Sequence, residues 1–137
     1  MILLDTGPVV ALFDPKDAHH QACKSALRSL REPLVTTIPV LTEAFHMLSP
    51  ESVGSVRLRE FILRGGASVW FLDQPALGRC FELMERYSDH PMDLADASLV
   101  VAAESLATQK IFTIDRGDFL TYRIGRGKRS EPFEIVS

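Results

Sequence analysis

Residues 92–107, MDLADASLVVAAESLA, most restrict what this chain can become. Beyond Ala95 nearly every side chain is apolar or small, so a helix here meets core around most of its circumference. Its first turn nonetheless carries two carboxylates, Asp93 and Asp96, three apart and therefore on one face. A carboxylate in apolar surroundings has to be paired, hydrogen-bonded, protonated or bound to metal. Two accounts stay open for this pair. Asp93 is a natural N-cap and Asp96 a first-turn acid favoured by the helix dipole. Alternatively both are functional acids, which depends on where the other carboxylates fall.

Around this helix the chain alternates strand-like and helix-like stretches. Ile2, Leu3 and Leu4 form a short apolar run ending in Asp5-Thr6-Gly7-Pro8, which reads as a buried strand and a turn. A short helix follows over residues 9–13, and a second over 17–30, where Ala22, Cys23, Ala26, Leu27 and Leu30 recur at helical spacing. Strand two is expected at 34–36. Pro39 opens a helix bearing Val40, Leu41, Ala44, Phe45 and Leu48 on one stripe, closed by Pro50. Residues 51–63 read as a further helix stopped by Gly65-Gly66, 68–72 as strand three and 75–87 as another helix. The central helix then leads to strands at 111–114 and 133–136. Residues 123–129, basic and carrying Gly125 and Gly127, read as a loop. Strands alternating with helices imply the α/β class, a parallel sheet covered on both faces. The length of 137 residues fits one domain spanning the whole chain.

Composition narrows the function classes. Fifteen basic residues against eighteen acidic ones leave no general cationic coat for nucleic acid, although a local patch remains compatible. Two cysteines are too few for a disulfide framework and suit a reducing compartment. No apolar run approaches the roughly 20 residues that cross a bilayer. With no charged leader before the first strand, the expected location is the cytoplasm.

The acids gather on this scheme. Sites in open parallel sheets form outside the carboxyl ends of strands, where strand order reverses. Asp5 follows the first strand, and Asp115 follows the fourth in IFTIDRGDF, with Asp118 three residues on. Asp96 opens the helix feeding that strand and reaches the same edge if the helix runs antiparallel to the sheet. Glu43 lies about 130° from the centre of its helix's apolar stripe, so on that helix alone it is a solvated polar residue. Acids meeting at one edge repel one another, which raises some pKa values unless divalent cations intervene. Hard oxygen donors suit Mg²⁺ or Mn²⁺.

The segments LLDTGPVVALFD, VLTEAFHML, MDLADASLVVAAE and FTIDRGDF resemble, in this order, the four acidic segments of PIN-domain nucleases. The likeness is strongest to the VapC-type toxin ribonucleases of bacterial toxin–antitoxin pairs, and it runs over nearly the whole chain. The resemblance implies a three-layer α/β/α domain with a five-stranded parallel sheet. It implies a metal-dependent endoribonuclease, with Mg²⁺ or Mn²⁺ activating a water that cleaves RNA to 5′-phosphate and 3′-hydroxyl ends. Carried over by position, it makes Asp5, Glu43, Asp96 and Asp115 the catalytic, metal-binding acids. Asp93 and Asp118 become supporting acids of the same metal pocket, and Thr6 and Thr113 match neighbouring hydroxyl residues that orient such sites. Its implied partners are an RNA substrate and a cognate antitoxin, and the apolar helices near the start of the chain suggest a homodimer.

Other features carry less. His19, four residues before Cys23, offers only two ligands, where zinc takes three or four. Asp14 and Asp17 flank Pro15 as turn and cap residues, and Trp70 reads as core rather than a base-stacking platform. Arg57, Arg59 and Arg64 read as a solvated face. Competing readings are a non-catalytic PIN fold that binds RNA or protein, and a housekeeping RNA-processing nuclease. A receiver-type phosphoacceptor at Asp73 lacks the acidic pair after strand one and the lysine after the last strand. A haloacid-dehalogenase phosphatase lacks a second Asp where Gly7 stands.

Overall fold

The computed structural model describes residues 1–136. Strands β1 (Ile2–Leu4), β2 (Leu34–Thr37), β3 (Ser68–Trp70) and β4 (Lys110–Phe112) belong to one sheet. Strands β5 (Arg123–Ile124) and β6 (Glu131–Pro132) pair antiparallel as a separate ribbon, and β7 (Glu134–Val136) returns to the main sheet. The main sheet has order β3-β2-β1-β4-β7, and every neighbouring pair is parallel.

Short strands built mainly of apolar residues make sense once both faces are covered. Successive side chains point to opposite faces. Leu3, Val35 and Ile111 therefore enter one core, while Ile2, Leu4, Leu34 and Phe112 enter the other. The second core is closed by α1 (Thr6–Phe13), α2 (His20–Ser29), α3 (Ile38–Leu48) and α4 (Val53–Leu63). The first is closed by α5 (Gln74–Arg86), α6 (Leu94–Leu106) and α7 (Arg116–Thr121), the last through Phe119. The expected three-layer α/β/α arrangement with a five-stranded parallel sheet is what the chain adopts. Residues 97–103 of α6 are all buried, as its composition requires.

The boundaries differ from the sequence reading in instructive places. Helix α1 begins at Thr6, with no turn before it. Asp5 is its extended N-cap and accepts from the Thr6 amide, while Pro8 sits in the first turn, where its missing N–H costs nothing. Helix α7 (Arg116–Thr121) follows Asp115 in a stretch to which the sequence assigns no element. Residues 123–129 hold β5 and a 3₁₀ turn (Gly127–Arg129) rather than an unstructured loop. Phe133 precedes the last strand as a buried core residue. Trp70 is half-buried and packs against the core, in keeping with its reading.

The apolar excess is not at the start of the chain. Helix α1 buries Val9, Val10 and Ala11 completely, whereas Ile38 and Met47 of α3 and Val53, Val56 and Leu63 of α4 stand in solvent. Among the described residues no helix is long and apolar enough to cross a membrane.

The topology fixes the site. From β1 the chain steps outward to β2 and β3, then returns to lay β4 against the free side of β1. Strand order reverses between β1 and β4, so their carboxyl ends open a crevice there. Leu4 lies opposite Phe112, and Asp5 and Thr113 come next on each strand.

Candidate active site

Asp5 is the deepest acid, with 5% of its surface exposed. Its backbone amide donates to the Phe112 carbonyl at 3.1 Å, so the sheet itself sets its position. Oδ1 accepts from the Thr6 amide at 2.8 Å and Oδ2 from the Thr113 hydroxyl at 2.7 Å. Thr113 in turn accepts from the Asp115 amide at 2.9 Å, tying the loop after β4 to the acid after β1. Burial pushes Asp5 up to about 6 against these two hydrogen bonds, and the charges of Asp115 and Glu43 push the same way.

Asp96 lies in the first turn of α6, whose amino end meets the crevice because the helix runs back along the sheet. Asp93 caps this helix, its Oδ1 accepting from the Asp96 amide at 2.8 Å. Burial lifts Asp96 to about 8, followed by the charges of Asp93 and Asp5, with a smaller push from Asp118. The Tyr122 hydroxyl donates to Asp96 Oδ2 at 3.1 Å and opposes that rise. Capping and clustering are thus both true of the Asp93–Asp96 pair.

The other expected residues take the rim. Glu43 is half-buried on α3, and Asp115 is exposed at the start of α7. Asp118 is half-exposed and meets His90 Nε2 at 2.6 Å. Helix α3, which carries Glu43, is held to α6 by a buried 2.7 Å bond between the Thr37 and Ser98 hydroxyls. The charges of Asp115 and Glu43 reach Asp5, and those of Asp93, Asp5 and Asp118 reach Asp96, so the six acids are linked through these two. Tyr122 and His90 belong to the crevice wall and were not singled out in the sequence as site residues.

The donor set suits a hard divalent cation. The candidate donors are carboxylates, and burial is the largest influence on both Asp5 and Asp96, followed at Asp5 by the hydrogen bonds from Thr113 and Thr6 and at Asp96 by the charges of Asp93 and Asp5. The Thr6 hydroxyl beside Asp5 is buried without a hydrogen-bond partner among the described residues. No three His, Cys, Asp or Glu side chains of the described residues stand close enough to enclose an ion by themselves. Such a geometry fits Mg²⁺, which keeps several waters and takes only one or two carboxylates directly.

A broad concavity lies elsewhere. It measures about 750 Å³ and is lined by Met1, Glu32, Glu104, Gln109 and Lys110 at the amino edge of the sheet. Arg126 and Arg129 of the basic segment border that groove, and Arg126 pairs with Glu82, so the cationic patch does not line the acidic crevice. Arg57, Arg59 and Arg64 are exposed on or beside α4, as expected of a solvated face.

Comparison with known proteins agrees with this geometry. The PIN domain family model matches residues 2–124. Ribonuclease VapC26 of Mycobacterium tuberculosis is 29% identical over 134 residues, covering 93% of this chain and 96% of the relative. Among solved structures, M. tuberculosis VapC20, described as a sarcin-ricin-loop-cleaving toxin, superposes with a TM-score of 0.78 at 20% identity. That match covers 85% of this chain and 91% of VapC20. A toxin–antitoxin complex from Klebsiella pneumoniae gives 0.67 at 18% identity, over 88% of this chain and 92% of the other. FitAB bound to an IR36 DNA fragment gives 0.63 at 20% identity, over 87% and 88%. With a family model spanning most of its length and the same fold in its structural neighbours, the chain belongs to the PIN domain family.

Proposed function

We propose that this protein is a Mg²⁺- or Mn²⁺-dependent endoribonuclease, acting as one nuclease domain over residues 1–137 and serving as the toxin of a toxin–antitoxin pair. The observation that carries the reading is the convergence of Asp5 and Asp96, from β1 and α6, on the β1/β4 crevice. Both carboxyls are raised, to about 6 and about 8, by burial and by each other's surroundings. Carboxylates held together in low-dielectric surroundings at a sheet's switch point cost free energy when charged, and a cation there would relieve that cost. The ribonuclease name of its relative supports the same chemistry.

Asp5 and Asp96 hold the cation, with Glu43 and Asp115 completing the ring of charge and Asp93 and Asp118 supporting it. A bound divalent cation supplies charge for the phosphate, an activated water and stabilisation of the leaving oxygen. The chain's own part is positional. Thr6 and Thr113 fix both oxygens of Asp5, so its carboxylate cannot swing away when substrate enters. The water oxygen bonds to phosphorus as the P–O3′ bond breaks, giving 5′-phosphate and 3′-hydroxyl ends. The leaving 3′-oxygen takes its proton from solvent at the open rim, where Asp115 is exposed.

The partner surface follows from the exposed apolar side chains of α3 and α4, a feature that isolated monomers rarely expose as a group. The antitoxin association named for the Klebsiella structural neighbour supports an antitoxin as its occupant. The activity is tested with purified, partner-free protein on structured cellular RNA. Cleavage in Mg²⁺ or Mn²⁺ that is lost in EDTA and in Asp96→Asn is expected. A folded wild type that holds the ion without cleaving any RNA instead favours a binding-only PIN domain.

A further inference from the structure

Buried Asp5 and half-buried Asp96 are each anchored by a hydroxyl from a single stretch, residues 113–122. Thr113 holds Asp5, and Tyr122 holds Asp96. The two anchors differ in kind. Thr113 donates to the Asp5 carboxylate and accepts from the Asp115 amide beside it, whereas Tyr122 reaches its acid from across a packed aromatic wall. The Tyr122 residue is wholly buried. Its ring meets Tyr87 at 5.2 Å, Phe119 at 5.3 Å and His90 at 5.8 Å, all edge-on. Its hydroxyl has the Asp96 carboxylate at 3.1 Å and only a distant Pro91 carbonyl at 3.5 Å. A ring locked on three sides delivers its hydroxyl to one point in space. The carboxylate bonded there by Oδ2 presents Oδ1 in one orientation.

We propose that Tyr122 is the positioning residue of the candidate metal centre, its hydroxyl fixing Asp96 Oδ2 so that the other oxygen is set to take the ion. The inference rests on the nuclease reading of the same crevice. His90 does the equivalent at the rim, meeting Asp118 at 2.6 Å while its ring leans on Tyr122. The wall thus spans two acids, and Tyr122 is its centre. Partners of this outer kind change metal affinity by roughly 10- to 100-fold when removed.

The test is Mn²⁺ binding by titration calorimetry on wild type, Tyr122→Phe, Tyr87→Phe and Asp96→Asn. Tyr87 is the matched control, because its hydroxyl accepts from the Arg123 amide at 3.0 Å and touches no acid. Tyr122→Phe is expected to weaken Mn²⁺ about 10-fold, and Tyr87→Phe by less than about 2-fold, with comparable losses of melting temperature. A second readout needs no variant of Tyr122. The chain has two tyrosines, so Mn²⁺ addition to wild type and to Tyr87→Phe should give the same tyrosine absorption difference, saturating with the calorimetric curve. Wild-type affinity in Tyr122→Phe, or equal losses in the two tyrosine variants, overturns the assignment and leaves the metal centre standing if Asp96→Asn still loses the ion. Absence of the absorption difference on ion binding likewise overturns it. A wild type that takes up no Mn²⁺ overturns both this inference and the reading beneath it.

Discussion

Asp5→Asn is expected to stabilise the metal-free protein while abolishing its response to metal. The Asp5 carboxyl moves from 3.8 to about 6 on folding, chiefly through burial. At 1.36 kcal/mol per unit, that gap of roughly two units makes the ionised side chain destabilising by about 3 kcal/mol. The sign follows from the direction. A raised carboxyl binds its proton more tightly in the folded state, so wild-type stability falls as pH rises from about 4 through about 6 and is level beyond. Asn does not titrate. It keeps the acceptor for the Thr6 amide but turns an N–H toward Thr113, whose hydroxyl proton then lacks its acceptor, a loss of about 1 kcal/mol. The net gain is about 2 kcal/mol at pH 8, or about 7 °C in melting temperature for a chain of this length, crossing zero between about pH 4 and pH 5 and turning into a loss of about 1 kcal/mol below. Urea unfolding in EDTA across that pH range measures it. Saturating Mn²⁺ reverses the order, since ion at 100 times its dissociation constant adds about 2.7 kcal/mol to wild type alone. A variant less stable than wild type at pH 8 in EDTA, or a gap indifferent to pH, refutes the claim that Asp5 is held ionised at a cost.

Three further outcomes test the scaffold by urea unfolding. Ala107 ends α6 in the left-handed region at φ 53°, so Ala107→Gly should gain about 0.5–1 kcal/mol, and a loss contradicts that geometry. Glu104 receives two bonds from Arg79, at 3.1 and 2.9 Å, and one from the Gly125 amide at 2.9 Å, and the pair is 12% and 19% exposed. Glu104→Ala should cost about 2–3 kcal/mol and lose little of that effect in 1 M NaCl, whereas a surface pair would be screened. Gly54 stands where a Cβ would come within 2.5 Å of the Phe13 carbonyl, so Gly54→Ala should cost about 1–3 kcal/mol by prising α4 from α1, and a neutral result shows that the contact yields.

The sheet was legible because its strands are short apolar runs cut off by turn chemistry, a pattern that survives without tertiary context. The acids were legible for a related reason. Asp5 and Asp115 follow strands directly, and strand ends are where such sheets bind ligands. Helix α7 was not legible. It spans six residues, includes Gly117, and is held through Phe119 in the core rather than by its own periodicity. Tyr122 was hidden because its partner Asp96 lies 26 residues away and only the packing of three rings brings them together. The exposed apolar excess was expected in the wrong helices, since apolar content near the chain's start went into α1's burial while α3 and α4 kept theirs outside. An arginine run cannot say which edge of the sheet it will occupy. Here residues 123–129 went to the amino edge, opposite the acids.

The central claim is that these carboxylates hold a divalent cation at the β1/β4 crevice. The most direct measurement is an anomalous difference map from crystals of the partner-free protein soaked in Mn²⁺, with data collected at the manganese edge. The account predicts one dominant peak within about 2.5 Å of carboxylate oxygens of Asp5 or Asp96, completed by waters. A map with no peak in the crevice at saturating Mn²⁺, or with its only peak at the amino-edge groove, contradicts it.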